Sequence, residues 1–456
     1  MHRSEPPPSY RALLAIPTLG RILLGMALSR IGGSMLGVAL VLFTLQKFGS
    51  PALAGVVTFA SVAPGLVVSP IVGALLDRHG RTRLIILDQL VGAGSLAAIA
   101  ILALAGALTP IALVLITAIA GLTAPLTSVG LRTLFPILVP RRLWERVNAL
   151  DSNGYVVATL IGPPLAGLLV QVAGGPQTLL LIAGLYTVSA LVFVRTADAH
   201  NETETTGKLL VDAWQGLEYT IRNPTLRALG ISLSVSNLGW GIVTIVLPVL
   251  LVQDLGLGES IVGIAFAVSG ITGGIGALVA GRWKLQGRER PWLVWPMLLM
   301  SVTAGAILVS PTLPMVIGAM AFSGLLNGPM DVALFTLRQR RTDPAWMGRA
   351  FAVSMSLNYL GYPIGAAIGG ALVATSTSAA LAVAVVFTLL AGILAAILLP
   401  RSSRPGPGPA PAEAPSRQEG SNEPAPTGSV SVSSTLRKMP TSTQDVAEDL
   451  GSTVTR

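Results

Sequence analysis

Apolar stretches follow one another from residue 21 to residue 400, separated by short polar segments. Each has about the 20 residues that a helix needs to cross the hydrocarbon core of a bilayer. The pattern predicts about twelve spans, near residues 21–46, 51–76, 84–107, 110–135, 147–173, 177–196, 226–253, 259–283, 291–310, 313–338, 348–374 and 378–400. They are numbered here as spans 1 to 12. Odd-numbered spans run outward from the cytoplasm if the segments holding Arg78, Arg81, Arg83, Arg141, Arg142, Arg146, Lys208, Arg222, Arg282, Lys284, Arg288, Arg290, Arg338, Arg340 and Arg341 lie inside. Lys47 is then the only basic residue of the outer loops, as the positive-inside rule requires. An even number of spans puts both termini in the cytoplasm and makes the chain a multi-pass protein of the plasma (inner) membrane.

Composition narrows the class. Of 456 residues, 52% are hydrophobic and 11% charged, where a soluble domain carries about a quarter charged. The chain has no cysteine, which excludes disulfides, thiolate metal sites and cysteine nucleophiles. His2, His79 and His200 all fall outside the apolar spans, so no histidine metal centre is expected in the membrane. No cofactor is implied. The net charge of +9 is spread over clusters between spans rather than gathered in one stripe, which argues against nucleic acid as a partner. The first residues are polar and proline-rich, and no cleavable signal peptide is expected.

The chain also repeats itself at a spacing of about 200 residues. Thr18-Leu19 aligns with Thr225-Leu226, Gly32 with Gly239, Gln46 with Gln253 and Gly49 with Gly256. Gly80-Arg81-Thr82-Arg83 aligns with Gly287-Arg288-Glu289-Arg290, Arg146 with Arg349, Gly162 with Gly365, and Gly167 with Gly370. Duplicated transporters show such internal symmetry. The expected fold is an all-α integral membrane protein of two pseudo-symmetric six-helix bundles. Its parts are a cytoplasmic N-terminal segment 1–20, bundles 21–196 and 226–400, a cytoplasmic linker 197–225, and a disordered cytoplasmic tail 401–456. In the linker, Leu210, Trp214, Leu217 and Ile221 recur at helical spacing, as in a helix lying on the membrane surface. The tail is rich in Pro, Ser and Gly.

Between spans 2 and 3 stands Gly73-x-x-x-Asp77-Arg78-x-Gly80-Arg81-x-Arg83. It resembles the signature loop of the major facilitator superfamily almost position for position. In the second half Lys284 stands where Asp77 would be. Span 5 carries Gly162-Pro163-Pro164-Leu-Ala-Gly167, similar to the glycine-proline motif of exporters in that superfamily. Gly154 takes the place of the motif's first glycine at a looser spacing. The run from Leu134 through Arg146-Val-Asn148-Ala-Leu150, and Gln215 to Pro224 before span 7, resemble the enterobactin-exporter and macrolide-efflux branch. The resemblance covers Thr18 to Pro400 and leaves out the tail.

It implies a gate formed by Gly73, Asp77, Arg78, Gly80, Arg81 and Arg83, with Asp77 facing the start of span 11 near Gly348 to Ala350. A carboxylate is favoured at the amino end of a helix, and the contact would hold the halves together while the pore opens outward. The plainer role of these arginines is to set topology. Gly162, Pro163, Pro164 and Gly167 loosen span 5 and permit close packing; prevention of leak is what the resemblance adds.

Arg30, near the middle of span 1, is expected to face a polar cavity, or else to pair with a buried carboxylate. Its repeat partner is Asn237, followed by Trp240. Asn153, Asn327, Asn358, Tyr359 and Tyr362 complete the expected substrate cavity. Asp331 in span 10, one turn from Asn327, is the candidate proton carrier or else a fixed partner of Arg338, Arg340 or Arg341. Asp88 and Asp151 are expected near helix ends at the inner face. Related exporters tend to carry an acid soon after the position of Arg30, where this chain has Gly33-Ser34, so coupling through span 1 is not expected. Arg30 without a central acid leans toward anionic or neutral ligands.

The expected function is secondary active export of a small organic molecule (a drug, siderophore or metabolite) by alternating access, driven by the proton gradient as antiport. Uptake or facilitated movement of a metabolite suits the same fold. A non-transporting receptor or scaffold, and an intramembrane enzyme, are further classes; the missing cysteines and membrane histidines argue against the enzyme. No Gly-x-x-x-x-Gly-Lys-Ser/Thr loop is present, so ATP hydrolysis is not the expected energy source. The expected partners are the lipid bilayer, the small-molecule substrate and the proton gradient, with the chain working as a monomer.

Overall fold

A computed structural model describes residues 13, 16, 18–140, 143–194, 196, 209–282, 288–343 and 346–400. Some helical side chains, Asp77 and Arg349 among them, lie outside the description. So do the tail beyond residue 400, most of the N-terminal segment, and Arg141, Arg142, Lys208, Lys284 and Gly287.

Every regular element among the described residues is helical. The N-terminal half consists of α1 (Leu19–Phe48), α2 (Pro51–His79), α3 (Arg81–Leu104), α4 (Pro110–Leu138), α5 (Trp144–Ala173) and α6 (Gly175–Val194). The linker helix is α7 (Leu209–Arg222). The second half consists of α8 (Pro224–Pro248), α9 (Glu259–Gly281), α10 (Glu289–Val309), α11 (Leu313–Arg341), α12 (Met347–Tyr359), α13 (Gly361–Val373) and α14 (Thr377–Leu398). Among the described residues eleven helical stretches are long and apolar enough to cross a bilayer, and α12 and α13 in series have the length of a twelfth crossing. Pro363 has no N–H for the carbonyl of Tyr359, which accounts for the break between them. Pro248 stands where α8 passes into a π-helical turn, Val249–Asp254.

The helix starts follow local chemistry. Ser50 accepts from Leu53 N at 3.2 Å ahead of Pro51, and Asn223 accepts from Thr225 N and Leu226 N ahead of Pro224. Each cap satisfies orphan donors, and proline at the first position loses no bond. In α7, Trp214 and Ile221 are exposed, while Tyr219 on the other side stacks on Trp346 at 5.1 Å.

The internal repeat is built into matching contacts. Gly49 and Gly256 end their spans with φ of 62° and 65°, a left-handed turn that glycine adopts without strain. Gly32 makes room for Tyr186 of α6, and Gly239 makes room for Thr388 of α14. Gly167 of α5 faces the backbone of Glu259 and Gly263 in α9, while Gly370 of α13 faces the backbone of Pro51 and Gly55 in α2. These last two seams join the halves.

Both seams lie at the end remote from the basic loops. There one apolar core runs through both halves, from Met35 to Leu45 in α1, through Ala166 and Val170 in α5, to Val262, Ala265 and Ala366. At the basic end the core divides. One cluster, with Leu19, Ile22, Ile85, Leu134 and Phe193, belongs to the first half; another, with Leu229, Leu293, Leu334 and Leu399, belongs to the second. The α5–α9 seam records the same divergence. A Cβ placed on Gly263 would lie 2.3 Å from Pro163 O; on Gly270 it would lie 3.5 Å from Thr159; on Gly274 it would meet nothing within 4 Å. The halves are closed together at one end and splayed at the basic end.

Overpacking a tight helix crossing costs about 1–3 kcal/mol. Gly263→Leu is therefore expected to lower the thermal midpoint of the purified protein clearly, and Gly274→Leu to leave it nearly unchanged. Equal effects in a fluorescence-monitored melt would refute the splayed arrangement of α5 and α9.

Candidate functional site

Arg30 sits in the interior of the first half, 8% exposed. Its Nη1 donates to the backbone O of Asp151 at 2.6 Å, and its Nη2 pairs with the Asp151 carboxylate. The guanidinium also covers the Tyr155 ring, 3.7 Å from its centre. Three partners on two turns of α5 thus fix an α1 side chain. Two expectations change. Asp151 is the largely covered partner of Arg30, not a solvated helix-end acid. With that pair neutral overall, Arg30 gives no lean toward anionic ligands.

The second half has an uncharged counterpart. Asn237 of α8 donates to the backbone O of Asn358 in α12 at 3.0 Å. Arg30 and Asp151, and Asn237 and Asn358, are each 121 residues apart. Behind Asn358 lies Arg338, fully buried against Met355 and the Phe335 ring. With its amide turned to suit its neighbours, Asn358 donates to Ser354 O and accepts from Arg338. Arg338 is therefore an interior residue of α11 rather than a loop arginine.

The remaining candidates are dispersed. Trp240 meets Phe266 of α9 edge-on at 6.2 Å, and Tyr359 is half exposed. Tyr362 is half-buried and lies beside Thr244; Asn153 is exposed. Asn327 donates to Asp331 at 3.0 Å along α11, and Arg340 pairs with Glu289 instead of Asp331. Gly162 packs on Ser34 and Met35 of α1, and Pro163 and Pro164 pack on Gly263 of α9, so the glycine-proline motif lies where α5 meets both neighbours. The helix runs through both prolines without interruption. In the loop after α2, Arg78 and Arg83 are exposed and Arg81 is half-buried. Gly80 turns at φ 91° with its N–H on Leu76 O. The Asp77 side chain and Gly73 lie outside the described set.

A cavity of about 230 Å³ lies inside the first half between α1, α3, α4 and α6. Ser29, Arg30, Asp88, Gln89, Thr127 and Tyr186 supply its polar wall. Asp88, expected at a solvated helix end, is instead 8% exposed, and its Oδ1 accepts from Thr123 at 2.7 Å. Gln89 Nε2 donates to Ser29 and Thr127 at 3.0 and 3.1 Å.

The sequence profile of the Major Facilitator Superfamily matches residues 22–234 and again 229–443. The chain belongs to the major facilitator superfamily. It is 36% identical over 399 residues to the uncharacterized MFS-type transporter y4rN of Sinorhizobium fredii, covering 87% of this chain and 98% of that one. It is 26% identical over 398 residues to the multidrug efflux pump Tap of Mycolicibacterium fortuitum, covering 84% and 96%. The second of these likenesses is to an efflux pump. Its fold matches that of a bacterial homolog of the human lysosomal transporter Spinster in an inward-facing, occupied conformation. The TM-score is 0.66 at 14% identity, over 87% of this chain and 97% of that one.

For this superfamily member, sequence reading missed Asp151, Arg338, and the group Asp88, Gln89, Thr123, Thr127 and Tyr186. Gly32 and Gly92, which leave space for the Tyr186 ring, were the available signal for the last.

Removing one partner of a buried ion pair costs about 3–5 kcal/mol because the other charge stays unpaired. Arg30→Ala and Asp151→Ala should each destabilise strongly, and the double variant by less than their sum. A coupling below about 0.5 kcal/mol in denaturant titrations of the four proteins would show that the pair is not structural.

Proposed function

We propose that this chain exports a small organic molecule by alternating access, in exchange for protons. The observation that carries the reading is the arrangement of the halves, joined by backbone contact at one end and apart at the basic end. With the basic loops in the cytoplasm, this is a state open to the cytoplasm, and both termini are on that side of the plasma membrane. The multidrug efflux relative supports the outward direction and a drug-like substrate.

On this reading Arg30, Asn153, Asn237, Trp240, Asn327, Asn358, Tyr359 and Tyr362 border the passage between the halves. Rocking would close the basic end by bringing α9 against α5. Gly263, Ala267, Gly270 and Gly274 recur at spacings of three and four residues, on one face of α9. Only the Gly263 end of that stripe is tightly engaged, so the unengaged end offers a surface for the other state. Gly73, Asp77, Arg78, Gly80, Arg81 and Arg83 then form the gate, with Asp77 at the amino end of α12. The glycine-proline motif keeps α5 sealed against α9 on the outer side. Two acids inside the membrane could carry the proton, Asp88 and Asp331. The chain acts as a monomer.

The test is transport into inverted vesicles under an imposed pH gradient, screened with a panel of labelled drug-like compounds. Gradient-driven accumulation is expected for at least one compound. Asp77→Asn should reduce it about tenfold, the population shift that loss of a charge at a helix terminus can produce. Accumulation that ignores the gradient would remove antiport, and accumulation unchanged in Asp77→Asn would remove the gate.

A further inference from the structure

A polar chamber lies within the first half. Its floor is α3, which presents Asp88 and Gln89 to a space with room for several waters at roughly 10–15 Å³ each. Gln89 is 3% exposed and its Oε1 meets no hydrogen-bond partner, as expected of an acceptor that bonds to water. Among the described residues no basic side chain pairs with Asp88. A buried carboxylate without a cation is costly to keep charged, and symmetry does not require this one. By the repeat that aligns Gly80 with Gly287, Asp88 corresponds to Trp295 and Gln89 to Pro296. The second half therefore lacks the polar floor.

We propose that Asp88 is the group that takes up and releases the coupling proton, inside this chamber, whose wall also carries Arg30. The assignment deepens the antiport reading and takes its biological meaning from it. The surrounding hydrogen bonds are directional. Gln89 Nε2 donates to Thr127 Oγ1, and the Thr127 hydroxyl lies beside the Asp88 carboxylate; Thr123 Oγ1 donates to Asp88 Oδ1. Donors aimed at the carboxylate hold it when ionised, and water in the chamber carries the proton to and from it. An alkali cation would need these same oxygens turned toward it, with the Gln89 amide N–H out of the way, so the arrangement suits a proton better.

The groups facing Asp88 are few. Tyr186 of α6 lies next to it. Arg30 of α1 is on the same wall but is committed to Asp151. Tyr155 of α5 and Ser61 of α2 complete the rim, and the described lining of α4 holds hydroxyls and apolar groups only. Arg30 and Tyr155 belong to the tie between α1 and α5, and α5 forms one seam with the second half. The chamber thus borders the helices that move. Asp331 differs in being bonded to Asn327 of its own helix, and it is not on the wall of this chamber.

The experiment is infrared difference spectroscopy of the full chain in lipid bilayers, titrated with pH. A protonated-carboxyl band that titrates is expected. Asp88→Asn should abolish it, and Asp331→Asn should leave it. Thr127→Val, which removes one donor to the ionised form, should tighten proton binding about tenfold; this variant keeps the carboxyl and covers the case in which Asp88→Asn does not fold. A band that survives Asp88→Asn, no titrating band in the unmodified protein, or no response to Thr127→Val would each overturn the assignment. So would a midpoint that moves tenfold when sodium replaces choline, which would mark an alkali-cation site. An Asp88 band in a protein that shows no gradient-driven movement of any compound would leave the proton site standing while removing the carrier reading.

Discussion

Backbone-to-backbone approach at two helix crossings is the constraint on which this architecture rests. Lipid tails are as apolar as leucine, so burying hydrocarbon gives little net drive to join two bundles inside a bilayer. What remains is close van der Waals contact, and that needs residues without side chains at the crossing. Gly167 with Gly263, and Gly370 with Gly55, supply it once per seam and in the same relation to the repeat. A side chain at any of the four would sit within about 3 Å of a neighbouring backbone atom. The continuous core of the closed end forms around these crossings, and the divided core of the basic end follows from their absence there.

Duplication fixed the scaffold without fixing the chemistry. The tie between the first and fifth spans of each half is an ion pair in one half and an amide–carbonyl hydrogen bond in the other. Each holds two helices of one bundle as a unit, and a rigid bundle is what rocking about the seams needs. The ion pair needs burial from bulk water and good geometry to offset desolvation. Arg30 has both, with a ring beneath it and a carbonyl as second acceptor. The neutral pair of the second half has a cationic neighbour in Arg338, which is held within its own bundle.

Much of the fold was legible because it is written in apolar length and in glycine. With the π-helical turn Val249–Asp254 counted as part of span 7, every span boundary falls within three residues of the helix end found in the structure. Among the described residues, the aligned pairs Gly32 and Gly239, Gly49 and Gly256, and Gly167 and Gly370 occupy equivalent places. The site was far less legible, for a physical reason. Depth was judged along one helix, counting from the basic loops. Asp88 is seven residues after Arg81, the first residue of α3, yet α4 and α6 cover it, and that cover is tertiary. Asp151 was misjudged in the same way because its partner is 121 residues distant. Arg338 was read with Arg340 and Arg341 as a loop cluster. Arg338 is fully buried, while Arg340 is exposed and Arg341 half-buried.

The location of the polar chamber bears on how coupling and transport can be combined. A carboxylate inside the passage would compete directly with substrate for the same space, and its charge would select substrates by sign. On the export reading, one placed within a single bundle leaves Arg30 at the passage, where its charge is cancelled by Asp151. If the proposed amides, tyrosines and tryptophan line the passage, they set few charge requirements and make contact through rings and adaptable hydrogen bonds. On the export reading, separation of the proton from the substrate is what permits a broad range of substrates. The energy of the gradient then reaches the passage through the packing of α1 and α5, not through contact with the cargo.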